Sequence, residues 1–308
     1  MIDKENNFVS VVVYLNDSEH NIENFLNMVY PTIDSNFKKY ELIFVSNYQN
    51  EIVKEKIKEF KKKYEKISVS FITLDNKSGL EECMNAGIDL SIGDFVFEFD
   101  SCYVDYSPSV IMDVYRKALE GNDIVAAIPP AKTMRTSSKV FYAVYNHFSD
   151  MKNLTTERFR VISRRAINRV AGYNKIVPYR KAVYASVGLC TSQVMYQLCD
   201  GATGELPIDF QRKNIAIDAL ILFTDIAYKL SLAFSILMAV FMLGTGIYTI
   251  TQYARGGVVE GWAPLMGVIS AGFLALFIIV TVLIKYLDLL LKLAFKKQKY
   301  MVVGIDKL

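Results

Sequence analysis

The chain has 308 residues, 52% of them hydrophobic, with 35 Lys and Arg against 32 Asp and Glu for a net charge of +3. That near balance, together with the lack of basic–aromatic motifs, excludes a nucleic-acid binder held by phosphate charge. The four cysteines (Cys83, Cys102, Cys190, Cys199) show no CxxC or Cys/His spacing, so no structural zinc site is expected.

The N-terminus, Met1-Ile2-Asp3-Lys4-Glu5, has no apolar core of the kind a signal peptide needs, and none is expected. Val9–Leu15 is a continuous apolar, β-branched run, as in a strand buried on both faces. Helical spacing follows at Glu19–Met28, then a strand at Tyr40–Val45 and a charged helix at Glu51–Tyr64. A strand at Ile67–Leu74, a helix at Gly79–Leu90, a strand at Asp94–Phe99, a helix at Ser109–Glu120 and a strand at Asp123–Ile128 complete the alternation. This order predicts an α/β fold, a mostly parallel sheet flanked by helices. In such sheets a ligand site lies outside the carboxyl ends of the strands, which gathers Asn16, Asp17, Ser46, Asn47, Asn76 and Asp100–Cys102.

Pro129–Ser138 breaks the pattern and predicts a mobile basic loop. A helix over Lys139–Met151, a short strand at Phe159–Ile162 and a helix at Arg164–Ala171 follow. Asn214–Lys229 suits a helix lying in a membrane interface, or a packing helix of the preceding domain. Leu230–Ile250 and Trp262–Ile284 each run without a charged residue, and each is long enough to cross a bilayer core of about 30 Å. They predict a transmembrane hairpin, the alternative being two buried helices. Gly244, Gly246, Gly267 and Gly272 suit close packing between the spans. Lysines crowd the tail (Lys285, Lys292, Lys296, Lys297, Lys299), and Arg212, Lys213 and Lys229 precede the first span. The positive-inside rule then puts both termini and the soluble domain in the cytoplasm, where disulfides are not expected. The predicted organisation is a domain over 1–210, an interfacial helix over 211–229, spans at 230–250 and 262–284, and a basic tail over 285–308.

Ser10–Ile22 (SVVVYLNDSEHNI), Tyr40–Asn47 (YELIFVSN), Gly79–Gly87 (GLEECMNAG, a Gly-x5-Asn-x-Gly helix), Gly93–Pro108 (GDFVFEFDSCYVDYSP), Ser138–Met151 and Phe159–Ala166 (FRVISRRA) occur in an order that, with the hairpin, resembles one family. These are the membrane-anchored polyprenyl-phosphate glycosyltransferases of glycosyltransferase family 2, relatives of dolichol-phosphate mannose synthase. The resemblance spans nearly the whole chain. It implies a GT-A-like fold and transfer of a sugar from a nucleotide sugar to polyprenyl phosphate on the cytoplasmic leaflet. It also implies a homo-oligomer or a partner membrane protein, and Mg²⁺ or Mn²⁺ held by an Asp-x-Asp pair against the donor diphosphate, because hard cations take oxygen ligands.

This sequence departs from that pattern at the donor side. Asp100 holds the first acidic position and Cys102 the second, and a thiol suits neither ion. Val104 stands where an amide oxygen is usual, Ser46-Asn47 where Asp-Asp is usual, and Ser18 and Arg158 where acidic residues are usual. Glu98 precedes Asp100 by two residues and shares its strand face, so Glu98 and Asp100 form a candidate shifted metal pair, or Glu98 an ordinary ion pair of the sheet. Asp105, with Asp100, is a candidate catalytic carboxylate, or else a turn or helix-cap residue. Asn16, Ser46, Asn47, Asn76 and Asp100 are the candidate donor-binding residues. Lys132, Arg135, Lys139, Arg160 and Arg164, with Arg165 beside them, are candidates to hold the acceptor phosphate, or form a basic face that draws the domain to anionic lipid. His20 and His147 are isolated and read as surface or packing residues. Two functions stay open: the transferase, with Mg²⁺ or Mn²⁺, or a member without activity and without metal that serves as a binding or assembly partner.

Overall fold

The computed structural model describes residues 4–15, 22–47, 51–64, 67–75, 78–149, 154–173, 179–186, 188–199 and 302–307, with scattered residues between 216 and 290. The chain divides into two compact units, one of Met1–Ala216 with Lys297–Leu308 and one of Ile217–Lys296.

The first unit is built on β1 (Glu5–Leu15), β2 (Phe37–Ser46), β3 (Ser68–Leu74), β4 (Phe95–Phe99), β5 (Ile124–Ile128), β6 (Phe159–Ser163), β7 (Thr191–Met195) and β8 (Val302–Lys307). Its helices are α1 (Ile22–Asn36), α2 (Glu51–Lys63), α3 (Leu80–Leu90), α4 (Ser109–Leu119), α5 (Thr136–Phe148), α6 (Arg164–Tyr173) and α7 (Arg180–Ser186). The eight strands form one sheet in the order β7-β5-β6-β4-β1-β2-β3-β8. The run β4-β1-β2-β3 is parallel. β6 is antiparallel to both its neighbours, β4 and β5, and β8 is antiparallel to β3. The sheet is therefore mixed where a mostly parallel one was expected, and it fits the GT-A architecture of a sheet flanked by helices.

Strand alternation sorts the two faces. Val9, Val11, Val13, Phe97 and Phe99 point to one face and join α1 and α4 residues such as Phe25, Val29, Ile111 and Tyr115 in the main core. Ser10, Val12 and Glu98 point to the other face, which α3 covers. There Gly87 lets the helix lie against the sheet: a Cβ at that position would sit 2.4 Å from a Val12 methyl and 2.8 Å from a Val45 methyl. Gly93 likewise passes the Ser10 backbone too closely for any side chain.

The expected strands up to β6 are present with small shifts at their ends. α1 runs through Pro31 to Asn36 although the helical reading stopped at Met28. Pro31 removes one backbone donor, the one that would reach the Asn27 carbonyl, and the Thr32 hydroxyl adds a side-chain bond to the next carbonyl, that of Met28, at 2.8 Å. The segment expected as a loop over 129–138 instead contains a 3-10 turn (Ala131–Thr133), and α5 begins at Thr136. The tail expected over 285–308 ends in strand β8, which covers the β3 edge and pairs Asp306 with Lys54 at 2.6 Å. α7 and β7 were not anticipated.

In the second unit the described residues between 216 and 290 are helical apart from Thr224. Leu265, Ile269, Leu276, Val280, Leu283, Leu287 and Leu290 are all exposed and recur at spacings of three, four or seven. Most of 211–229, 230–250 and 262–284 lies outside the described residues, and among those described no helix is long and apolar enough to cross a membrane.

Candidate functional site

The carboxyl end of β4 carries a buried cluster of charge. Glu98 faces Arg160 across the antiparallel β4–β6 ladder, so their side chains leave the sheet on the same face. Asp100 follows the strand directly. Arg160 sends Nη2 to an Asp100 oxygen at 3.2 Å, lies 3.5 Å from Glu98 through Nη1, and reaches Glu157 at 3.0 Å through Nε. From the same face Arg180, the first residue of α7, brings a second guanidinium. Its Nε meets Glu81 at 2.7 Å, its Nη1 meets Glu98 at 2.8 Å and its Nη2 meets the other Asp100 oxygen at 2.6 Å. The Arg180 backbone N–H also donates to Glu81, at 3.0 Å. Tyr184, one helical turn on in α7, donates its hydroxyl to the remaining Glu98 oxygen at 2.7 Å.

The cluster is dry. Glu98, Arg160 and Arg180 side chains are at most 3% exposed, and Asp100 retains 20%. Burial pushes the Glu98 carboxyl above its usual range, against the opposing pull of Arg180 and then Arg160. Burial would lower both guanidiniums, but the carboxylates around them more than offset it and hold them above their ordinary value, Glu157 first for Arg160 and Glu81 first for Arg180. Burial, followed by the Glu98 charge, keeps Tyr184 protonated far above its usual range.

The other donor-side residues end at the same edge of the sheet. Leu15 and Ser46 pair in register at the ends of β1 and β2, and the Ser46 hydroxyl donates to the Leu15 carbonyl at 3.3 Å. Asn47 donates from Nδ2 to the Ser78 carbonyl at 2.8 Å, joining the end of β2 to the start of α3. Asn16 and Asn76, like His20, lie outside the described residues. Lys132 and Arg135 follow the end of β5, which is parallel to β4, and so emerge at the Asp100 end. Lys139 is exposed on the first turn of α5.

Four residues expected at the site, Asp105, Arg164, Arg165 and Cys102, lie elsewhere. Asp105 is fully buried. It accepts from Arg158 Nε at 2.9 Å, from Arg158 Nη2 and from the Tyr196 hydroxyl at 2.8 Å, so both of its oxygens are engaged within the fold rather than open to a ligand. The same contacts explain Arg158, whose charge departs from the family pattern because it balances Asp105. Arg164 lies at the opposite end of β4, donating to the Gly93 carbonyl at 2.9 Å and the Ser91 hydroxyl at 3.1 Å. Arg165, beside it, pairs with Asp123 at 2.7 Å. Neither faces the Asp100 end. Cys102 is 1% exposed within the main core, where burial pushes its thiol up to about 12.

A groove of about 600 Å³ runs between α1 and α4, lined by Asn24, Met28, Pro31, Ser35 and Met112. It lies over the other face of the sheet and contains none of these charged groups.

The glycosyl transferase family 2 sequence model matches residues 10–177, more than half of the chain. The chain belongs to glycosyl transferase family 2. Curated protein sequences gave no match. Among solved structures, a mannosyltransferase from Pyrobaculum calidifontis in complex with GDP-Man and Mn²⁺ is similar at 11% identity, with a TM-score of 0.50 over 96% of this chain and 89% of that one. Glucosyl-3-phosphoglycerate synthase from Mycobacterium tuberculosis, in complex with Mn²⁺, UDP and glucosyl-3-phosphoglycerate, is similar at 14% identity, with a TM-score of 0.49 over 70% of this chain and 78% of that one. The likeness to the mannosyltransferase is one of fold.

The family implies a divalent ion, and the side chains present do not fit one. Each oxygen of Glu98 and Asp100 already accepts a hydrogen bond from Arg160, Arg180 or Tyr184. Cys102 is a neutral thiol in the core. Among the described residues no group of three His, Cys, Asp or Glu side chains is arranged to hold a metal. Arg180, Glu81, Glu157 and Tyr184 were missed in the sequence. Arg180 lies beyond the family-matched segment, and Glu81 in the first turn of α3 reads as an ordinary response to the helix dipole.

Proposed function

We propose that the protein is a membrane-held family 2 glycosyltransferase that moves a sugar from a nucleotide sugar to polyprenyl phosphate at the cytoplasmic leaflet. The observation that carries this reading is the buried acid–arginine cluster at the carboxyl end of β4. It shares an end of the sheet with Ser46 and Asn47 on one side and with Lys132 and Arg135 on the other. Folding alone seldom favours so many buried charges, and such clusters concentrate at functional sites. In the reaction an acceptor phosphate oxygen bonds to the anomeric carbon as that carbon's bond to the donor diphosphate breaks, and the nucleoside diphosphate leaves with the electron pair. The attacking oxygen is already anionic, so no base is required. Lys132 and Arg135 supply positive charge for the acceptor phosphate.

Two observations support a bilayer. The exposed apolar stripe from Leu265 to Leu290 is of the kind that water does not tolerate on a monomer. The chain also leaves the first unit after Ala216 and rejoins it at Lys297, as a hairpin that crosses a membrane twice and returns would require.

The commitment of both Asp100 oxygens to arginines favours a second reading, an assembly partner that keeps the fold without transfer. Calorimetry of UDP- and GDP-sugars on the detergent-purified full chain separates the two, followed by transfer of labelled sugar to polyprenyl phosphate. Donor binding and labelled lipid are expected of the transferase. No heat at millimolar donor removes it. Resistance of the chain to alkaline carbonate extraction from membranes checks the hairpin, and release by carbonate overturns it.

A further inference from the structure

We propose that Arg180 is the resident cation of this site: its guanidinium takes the seat between Glu98 and Asp100, the shifted acidic pair that would otherwise be open to a divalent ion, so the chain binds no metal there. Three nitrogens of Arg180 meet three separate carboxylates, those of Glu81, Glu98 and Asp100, at 2.6 to 2.8 Å. These are hydrogen-bond lengths, and they spread the oxygens around a flat, three-sided ion. A Mg²⁺ or Mn²⁺ site instead draws oxygens to about 2.0–2.2 Å from one point. Arg160 takes the second Asp100 oxygen and Tyr184 the second Glu98 oxygen, so neither carboxylate keeps a face for a metal. A guanidinium cannot lose its proton in this setting, which makes the resident charge permanent. α7 supplies the cation by its position: Arg180 opens the helix, and Tyr184, on the same face, fixes Glu98 from the other side.

The seat is also specific to Arg180. Arg160 has a further carboxylate in Glu157, which it shares with Lys181, whereas among the described residues Glu81 pairs with Arg180 alone. Removing the Arg180 side chain therefore leaves Glu81, Glu98 and Asp100 around a hole with one guanidinium fewer, and a hard cation becomes the natural replacement. This inference rests on reading the β4 carboxyl end as the donor end. Its readout is metal, so it can fail or stand apart from sugar transfer.

The test is Mn²⁺ uptake by the full chain in detergent, followed as loss of the free-ion electron paramagnetic resonance signal. The native chain is expected to leave the signal unchanged at millimolar Mn²⁺. The Arg180→Ala variant is expected to take up stoichiometric Mn²⁺, and to lose that uptake when Glu98→Gln is added. Native uptake that disappears in Asp100→Asn overturns the proposal, as does an Arg180→Ala chain that folds and binds no ion. If Arg180→Ala does not fold, the double variant Arg180→Ala/Glu98→Gln decides. Recovery of folded protein supports a charge role for Arg180, and failure to recover, with the conservative Arg180→Lys folded and binding Mn²⁺, contradicts it.

Discussion

The two ends of the β4–β6 ladder use the same residue types for different ends. At the amino end, Arg164 bonds the Gly93 carbonyl and the Ser91 hydroxyl, Arg165 meets Asp123 with its own side chain 73% exposed, and Ser10 links Glu41 to the turn before β4. At the carboxyl end, Arg160 and Arg180 meet Glu81, Glu98, Asp100 and Glu157, and the two guanidiniums are dry. The first arrangement ties loops to the sheet by satisfying backbone and hydroxyl partners. The second places ion against ion where water cannot help, at a desolvation cost that folding does not demand. The contrast teaches that charge density at the carboxyl end exceeds what the backbone needs, which is why the proposed site is placed there.

Breaking the contrast at its strong end gives the largest effects. Arg180→Ala leaves Glu81 without its cation and Glu98 and Asp100 with Arg160 alone, and is expected to cost about 3–5 kcal/mol, read from the denaturant midpoint. Arg158→Ala, which strands the wholly buried Asp105, belongs to the same range. Cys102→Asp, which would restore the family's acidic pair on paper, is expected to destabilise by several kcal/mol without gain of metal binding, because the side chain enters the core rather than the site. At the amino end, Arg164→Ala is expected to cost only about 1–2 kcal/mol, the worth of its two hydrogen bonds.

The smallest effect is a pH dependence. Burial opposes ionisation of Asp123, but bonds from Arg165, the Cys190 backbone N–H and Ser163 outweigh it and hold the carboxyl below its usual range. A depressed folded value means the stabilisation is present above the unfolded pKa of about 3.9 and is lost as pH falls through the folded value. Urea midpoints between pH 5 and the acid limit should therefore fall less steeply in Asp123→Asn than in the native chain. Thiol reagents sharpen the same map of inside and outside. The exposed Cys190 and Cys199 are expected to label in the folded protein, and Cys83 and Cys102, whose thiols burial pushes up to about 12, only after unfolding.

The strand order up to β6 was legible because Val9–Leu15, Tyr40–Val45 and their successors are apolar runs punctuated by helical spacing. The direction of β6 was not, since pairing sense leaves no mark on a five-residue strand. That single ambiguity misplaced Arg164: it is four residues from Arg160, about 13 Å along an extended chain, enough to reach the other end of β4. The family pattern, which sets Cys102 at the second acidic position, did not show that this residue leaves the site. Glu98 and Asp100 share a face, but the chain bends over residues 100–102 and turns Cys102 into the core. Arg180 lies 80 residues from Asp100 and is joined to it only by tertiary packing, so nothing local announced it. The β8 strand was hidden behind the lysines that precede it.

The most direct measurement is an anomalous difference map from crystals of the full chain grown in Mn²⁺. The account predicts Arg180 between Glu98 and Asp100 with no manganese peak beside them, and a peak coordinated by those two carboxylates with the guanidinium displaced would contradict it.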